Sequence, residues 1–210
     1  MSIEKQSYRD PRDQSVDWRF LLPFSKSGNV LFIGERSDYC KSFFEDMGFP
    51  SVVWPSTISS SEEPLLNLHK STFNIVAIPF GIRSDSPLGQ ANKVEFFTVV
   101  RQLLEPGGVL FFGFNNIWRR NASKTTASTP HQMRRTLRKA GYPAPDYYGA
   151  YPDLIIPEYI LPLKSSPYRF ALKFHLRNRM PNTLLWFLSN NIVLSRLSNL
   201  LPSYFALVRV

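Results

Sequence analysis

The sequence predicts an α/β fold, a mostly parallel sheet between two layers of helix in αβα order. Three observations carry this. Residues 73–114 read FNIVAIPFG, then a helical run, then LLEPGGVLFFGF, so strand, helix, turn and strand follow in sequence. Residues 29–54 give the same order with NVLFIG, a helix and SVVW. Both units have strands that are continuous apolar runs, as in a parallel sheet covered on both faces, and both have a connection long enough for a crossover. A chain of 210 residues, 43% of them hydrophobic, can bury one sizeable core and has little room for a second.

Taken in order, residues 1–16 are charged and poor in apolar side chains, an arm outside the fold. Residues 17–210 form the single domain. It opens with DWRFLLP, an apolar cluster around Asp17 and Arg19 that ends at a proline. Trp18 and Phe20 either cover a ligand as a flap over the active edge of the sheet or plug one end of the core. Residues 29–34 are a buried strand, and Gly34 lets a backbone pass close to a ligand. A helix follows, with Ser37 or Asp38 as N-cap and Gly48 as its stop, then a short strand at 51–54. Residues 55–72 are Ser-rich and too few for a further strand with its crossover, so the sheet is trimmed on that side.

The strand at 74–79 is β-branched and apolar. The helix at 93–104 has apolar residues at helical spacing: Phe96, Phe97, Val99, Val100, Leu103 and Leu104. Glu105-Pro-Gly-Gly stops it and turns the chain into the strand at 109–114. A basic, polar loop leads to Thr129, an N-cap with Pro130 at the first helical position and Gly141 as the stop. Residues 142–163 mix tyrosines with prolines and read as short extended pieces. There Tyr147, Tyr148 and Tyr151 either line a pocket or bury their rings against the sheet edge. A helical insertion spans about 165–201, broken at Pro181, and either packs over the sheet or docks on a membrane surface. Residues 203–210 are a terminal strand.

The net charge of +9 is unevenly placed. Residues 1–116 hold 11 Lys/Arg against 13 Asp/Glu, a net of −2, whereas residues 117–210 hold 14 against 3, a net of +11. Such asymmetry points to phosphates on a nucleotide-linked substrate, an anionic membrane face or nucleic acid, or simply to a solubilising face. Nucleic acid is disfavoured, because no readout motif accompanies the basic residues. The single Cys40 and the scattered His69, His131 and His175 exclude a disulfide framework and show no metal-ligand spacing. The polar first residues show no secretory signal, and no apolar run reaches the length of a bilayer span, so the expectation is a cytoplasmic protein.

The order of elements, with LLEPGG before an apolar strand, RKAGY ending the next helix and SYFALVRV closing the chain, resembles class I S-adenosylmethionine-dependent methyltransferases over residues 17–210. DWRFLLP and YYGAYPDLIIPEYILPL further resemble a subgroup associated with surface-sugar and natural-product biosynthesis. The resemblance implies a Rossmann-like, seven-stranded sheet with an antiparallel last strand and the cofactor across the first two strand ends. The cofactor motif is degenerate. Of the family's glycine-rich turn only Gly34 remains, in Gly34-Glu-Arg-Ser-Asp-Tyr, and the acidic ribose ligand is replaced by Trp54 or Pro55. No acidic catalytic motif follows Pro79-Phe-Gly.

The resemblance implies S-adenosyl-L-methionine as cofactor and two functions. In the first, the protein is a methyltransferase acting on a small-molecule, sugar or phosphate-linked acceptor, with Gly34, Glu35, Trp54, Phe80, Gly81 and Asn115 around the cofactor. Asp17, Arg19 and Tyr148 then face the acceptor, and His131 is the general base. In the alternative, the protein is a catalytically inactive member that acts as a partner or scaffold, peripheral to the inner membrane face or beside another biosynthetic enzyme.

Overall fold

The computed structural model describes residues 18–22, 28–33, 51–53, 72–82, 92–118, 127–155, 157–164 and 201–210. The predicted arm at 1–16, the helix after Gly34, the Ser-rich stretch at 55–71 and the helical insertion at 165–200 lie outside the described residues.

Seven strands form one sheet: β1 (Asn29–Phe32), β2 (Ser51–Val53), β3 (Phe73–Ile78), β4 (Leu104–Asn115), β5 (Asp146–Tyr151), β6 (Tyr159–Pro162) and β7 (Ser203–Arg209). Their order across the sheet is β2-β1-β3-β4-β7-β5-β6. The pairs β1–β2, β1–β3 and β3–β4 are parallel, whereas β7 runs antiparallel to both β4 and β5. The reversed last strand is as the sequence predicts. Among the described residues β2 is the edge on the trimmed side. The opposite edge is β6, which folds back on β5 as a hairpin.

Helix α1 (Lys93–Leu103) links β3 to β4. Its N-cap Asn92 accepts from the Val94 N–H at 3.0 Å, and Phe96, Phe97, Val100 and Leu103 give it one buried stripe. Glu105-Pro-Gly-Gly differs from the tight turn expected. The helix ends at Leu103, and the chain passes directly into β4 with a register shift between the Phe73–Leu104 and Ile75–Val109 pairs. Pro106 disfavours a helical Glu105. Gly107, at φ +83°, donates its N–H to the Val210 carbonyl at 2.7 Å, so the segment is drawn into the sheet beside the end of β7.

Helix α2 (Pro130–Lys139) starts at a capping box: Thr129 Oγ1 accepts from the Gln132 N–H and Gln132 Oε1 from the Thr129 N–H, both at 3.2 Å. It ends at Gly141, where the N–H groups of Gly141 and Tyr142 close on the Arg138 and Leu137 carbonyls.

Two apolar layers result. One lies under α1 and α2 and includes Ile78, Phe97, Phe112, Phe114, Met133, Leu137, Tyr147 and Tyr204. The other lies on the opposite face and includes Trp18, Val30, Phe32, Ile75, Phe111 and Phe205. Trp18 opens a single 3-10 turn (Trp18–Leu21) and stacks on Phe111, with centroids 5.1 Å apart at 15°. Trp18 is therefore core, while Phe20 is exposed. The alternation of β5 likewise separates its tyrosines: Tyr147 is buried under the helices, Tyr148 is half-buried on the other face and Tyr151 is exposed.

Candidate functional site at the carboxyl ends of the strands

From β1 the chain order proceeds to β2 on one side, while β3 and β4 lie on the other, so the order reverses between β1 and β3. A ligand crevice in an open α/β sheet forms at such a reversal, outside the carboxyl ends of the strands. Here those ends are level: Phe32 pairs with Ala77, and the Ile33 N–H donates to the Ala77 carbonyl at 2.9 Å.

After β3 the chain turns through Pro79 and Phe80 to Gly81, whose N–H donates to the Ile78 carbonyl at 3.3 Å and whose φ is +72°. That left-handed turn suits glycine, and it bends the chain over β4. A Cβ on Gly113 would overlap the Pro79 carbonyl, so Gly113 is where the turn rests on the sheet. Phe80 is half-buried in the face opposite the helices, edge-on to Trp18 at 6.1 Å and to Phe32 at 6.4 Å.

Beyond its last pair with β3, Ile78–Phe112, strand β4 continues for three residues, Gly113 to Asn115, and walls one side of the rim. Polar groups are buried at its end. Asn115 Oδ1 accepts from Ser203 Oγ at 2.8 Å, and its carbonyl accepts from the Ser128 N–H at 2.9 Å. Asn116, 1% exposed, donates from Nδ2 to the Leu201 carbonyl at 2.8 Å and to the Tyr204 hydroxyl at 3.0 Å. Asn115, Asn116, Ser128 and Ser203 make four of the five buried polar or charged residues among those described, so this knot is where the fold concentrates its internal polarity. Sequence reasoning singled out Asn115 and missed Asn116, Ser128 and Ser203. The signal available was a pair of asparagines directly after an unbroken apolar strand.

Of the site residues read from sequence, Phe80 and Tyr148 pack on one face, Gly81 follows Phe80, and Arg19 belongs to the 3-10 turn on that face. Arg19 is buried and engaged in the turn whose Trp18 touches Phe80. Tyr148 pairs with Phe205, which pairs with Gly113, so it lies in line with the Pro79 turn but two strands beyond β4. Asn115 ends β4 at the same rim. His131 is exposed in the first turn of α2, on the helix-covered face, separated from Phe80 and Tyr148 by the sheet. Asp17, Gly34, Glu35 and Trp54 lie outside the described residues. Among the described residues no group of His, Cys, Asp or Glu could hold a metal ion.

Burial lowers the Lys93 pKa where its ammonium donates to the Ala127 carbonyl at 3.3 Å. On the helix side, burial raises the phenol pKa of both Tyr142 and Tyr147, and neither hydroxyl has a hydrogen-bond partner.

Solved structures share this fold. A SAM-dependent methyltransferase from Archaeoglobus fulgidus superposes with a TM-score of 0.57 at 12% identity, over 91% of this chain and 90% of that one. An S-adenosylmethionine-dependent methyltransferase from Mesorhizobium loti does so with a TM-score of 0.50 at 12% identity, over 91% and 95%. No protein-family model matches the sequence, and no curated protein is significantly similar to it. The fold is that of the S-adenosylmethionine-dependent methyltransferases. Among the described residues no helix is long and apolar enough to cross a membrane.

Proposed function

We propose that the chain is an S-adenosylmethionine-dependent methyltransferase whose cofactor lies across the carboxyl ends of β1 and β3, and that residues 17–210 form its single domain. The observation that carries this is the reversal of strand order between β1 and β3, with the Phe80–Gly81 turn at its mouth, in a sheet of methyltransferase topology. The residues present suit part of such a cofactor. Phe80 offers a half-buried ring face, and left-handed Gly81 holds the turn that carries it. Among the described residues no carboxylate stands at the ends of β1, β3 or β4.

The cofactor supplies an electrophilic methyl on a sulfonium. The protein's part is to align an acceptor atom and keep water out. Phe80 and Tyr148 form the apolar side of that enclosure, with buried Trp18 backing Phe80 and Arg19 toward the acceptor. The basic second half favours a phosphorylated or phosphate-linked small molecule or sugar as acceptor.

Isothermal calorimetry tests the proposal. Micromolar S-adenosylmethionine binding, abolished by Gly34→Trp at the position that follows Ile33, is the expected result. Absence of heat at millimolar cofactor overturns it and leaves the non-catalytic partner reading.

A further inference from the structure

We infer that the rim formed by the ends of β4, β5 and β6 docks on an anionic lipid bilayer. Six large hydrophobic side chains are exposed among the described residues, and five of them, Ile117, Trp118, Tyr151, Ile155 and Tyr159, gather here. The pairings make them neighbours. Asn115 of β4 faces Ser203, Ser203 faces Ala150 of β5, and Tyr151 faces Tyr159 of β6. Two strand spacings, about 10 Å, separate the ends of β4 and β5.

These side chains stand on built turns. Buried Asn116 is anchored to Leu201 and Tyr204 through Nδ2 and to the Pro202 carbonyl through its own N–H at 2.9 Å, and its Oδ1 accepts from the Trp118 N–H at 3.2 Å. That Asx turn projects Trp118 until it is 75% exposed. A second Asx turn does the same for Ile155, whose N–H donates to Asp153 Oδ1 at 2.8 Å, and the Glu158 N–H closes the loop on the Tyr151 carbonyl at 2.7 Å.

A bilayer suits this surface better than a folded partner. Three of the five, Trp118, Tyr151 and Tyr159, are tryptophan or tyrosine, the residues that settle at the headgroup level. Charge agrees. In the sequence Arg119 and Arg120 follow Trp118 directly, and residues 119–126 contain no acid. Arg134 and Arg135 are exposed on α2, with the Arg134 guanidinium 6.0 Å from the centroid of the Tyr147 ring. The acids of the loop are Asp153, committed to the Ile155 N–H, and Glu158. Each basic residue near an anionic leaflet adds attraction that salt screens. The crevice opens at the same rim, so docking would present it to an acceptor in the lipid phase. That last consequence alone rests on the methyltransferase reading.

Flotation of the full chain with phosphatidylcholine vesicles containing phosphatidylglycerol tests the inference. Expected are co-flotation at low salt, weakening as salt rises, and a blue shift of tryptophan emission. Trp118→Ala, which keeps the backbone N–H of the turn, should weaken partitioning about tenfold with no change in thermal unfolding, and the blue shift should be lost. No flotation at low salt overturns the inference, as does flotation that Trp118→Ala leaves unchanged. A wild-type dimer that Trp118→Ala separates, with no vesicle binding, assigns the rim to a second copy and also overturns it. Vesicle binding without cofactor heat would leave docking standing and remove only the methyltransferase reading.

Discussion

The two faces of the sheet are built to different ends. Under α1 and α2, Phe97 packs edge-on to Phe112 at 5.0 Å, and Phe114 stacks on Tyr204 at 5.2 Å, beneath helices whose caps and stripes are complete. The opposite face, among the described residues, is covered by a single 3-10 turn. There Trp18 and Phe111 continue an aromatic row toward half-buried Phe80, and Arg19, the one buried cation among the described residues, belongs to the same 3-10 turn as Trp18. The helix side leaves two phenol hydroxyls without partners. It is a packing layer, whereas the turn-covered side leads to the rim.

The largest effect should come where the turn meets the sheet. Gly113→Val places a side chain against the Pro79 backbone, which cannot yield as a flexible side chain would. A loss of about 3 kcal/mol or more in urea unfolding, or failure to fold, is expected. Next, Phe97→Ala and Trp18→Ala each remove a buried aromatic and should each cost about 3–5 kcal/mol. The comparison predicts that they differ in ligand binding: under folding conditions Trp18→Ala loses cofactor heat and Phe97→Ala keeps it. Equal loss from both would erase the distinction between the faces.

Asn116→Ala breaks the polar knot at the end of β4 and should cost about 1–3 kcal/mol, since it removes the hydrogen bonds from Asn116 Nδ2 to the Leu201 carbonyl and the Tyr204 hydroxyl. The smallest effect carries the opposite sign. Tyr147→Phe removes a hydroxyl without a partner and should stabilise by up to about 1 kcal/mol at neutral pH. Burial raises the pKa of Tyr142 and Tyr147 in the folded chain above the unfolded value, so ionisation favours unfolding. Their contribution is intact below about pH 10 and falls as pH rises toward the folded values. Tyrosinate absorbance of these two should appear only with unfolding, and Tyr147→Phe should flatten the alkaline limb of stability.

Much of the architecture could be read from local signals. The β3–α1–β4 unit is a change of apolar period within one stretch, and α2 carries its own Thr129, Pro130 and Gly141 punctuation. Glu105-Pro-Gly-Gly was harder to read, because what draws it into the sheet is Val210, at the far end of the chain. The site was only partly legible for the same reason. Phe80 and Gly81 follow an obvious strand. The knot of Asn116, Ser128 and Ser203 spans more than 80 residues of sequence, as in the Asn115–Ser203 bond with a separation of 88, and no local pattern encodes it. The separation of His131 from Tyr148 likewise depends on which face α2 covers, a tertiary property.

The central claim is that S-adenosylmethionine lies at the carboxyl ends of β1 and β3, beside Phe80. Ultraviolet cross-linking of radiolabelled S-adenosylmethionine, with the labelled peptides identified by mass spectrometry, tests it most directly. Label is expected in the peptides containing residues 29–34 and 78–82, displaced by unlabelled S-adenosylhomocysteine. Label confined to the helix-side peptide of residues 130–139, or label that no competitor displaces, would contradict it.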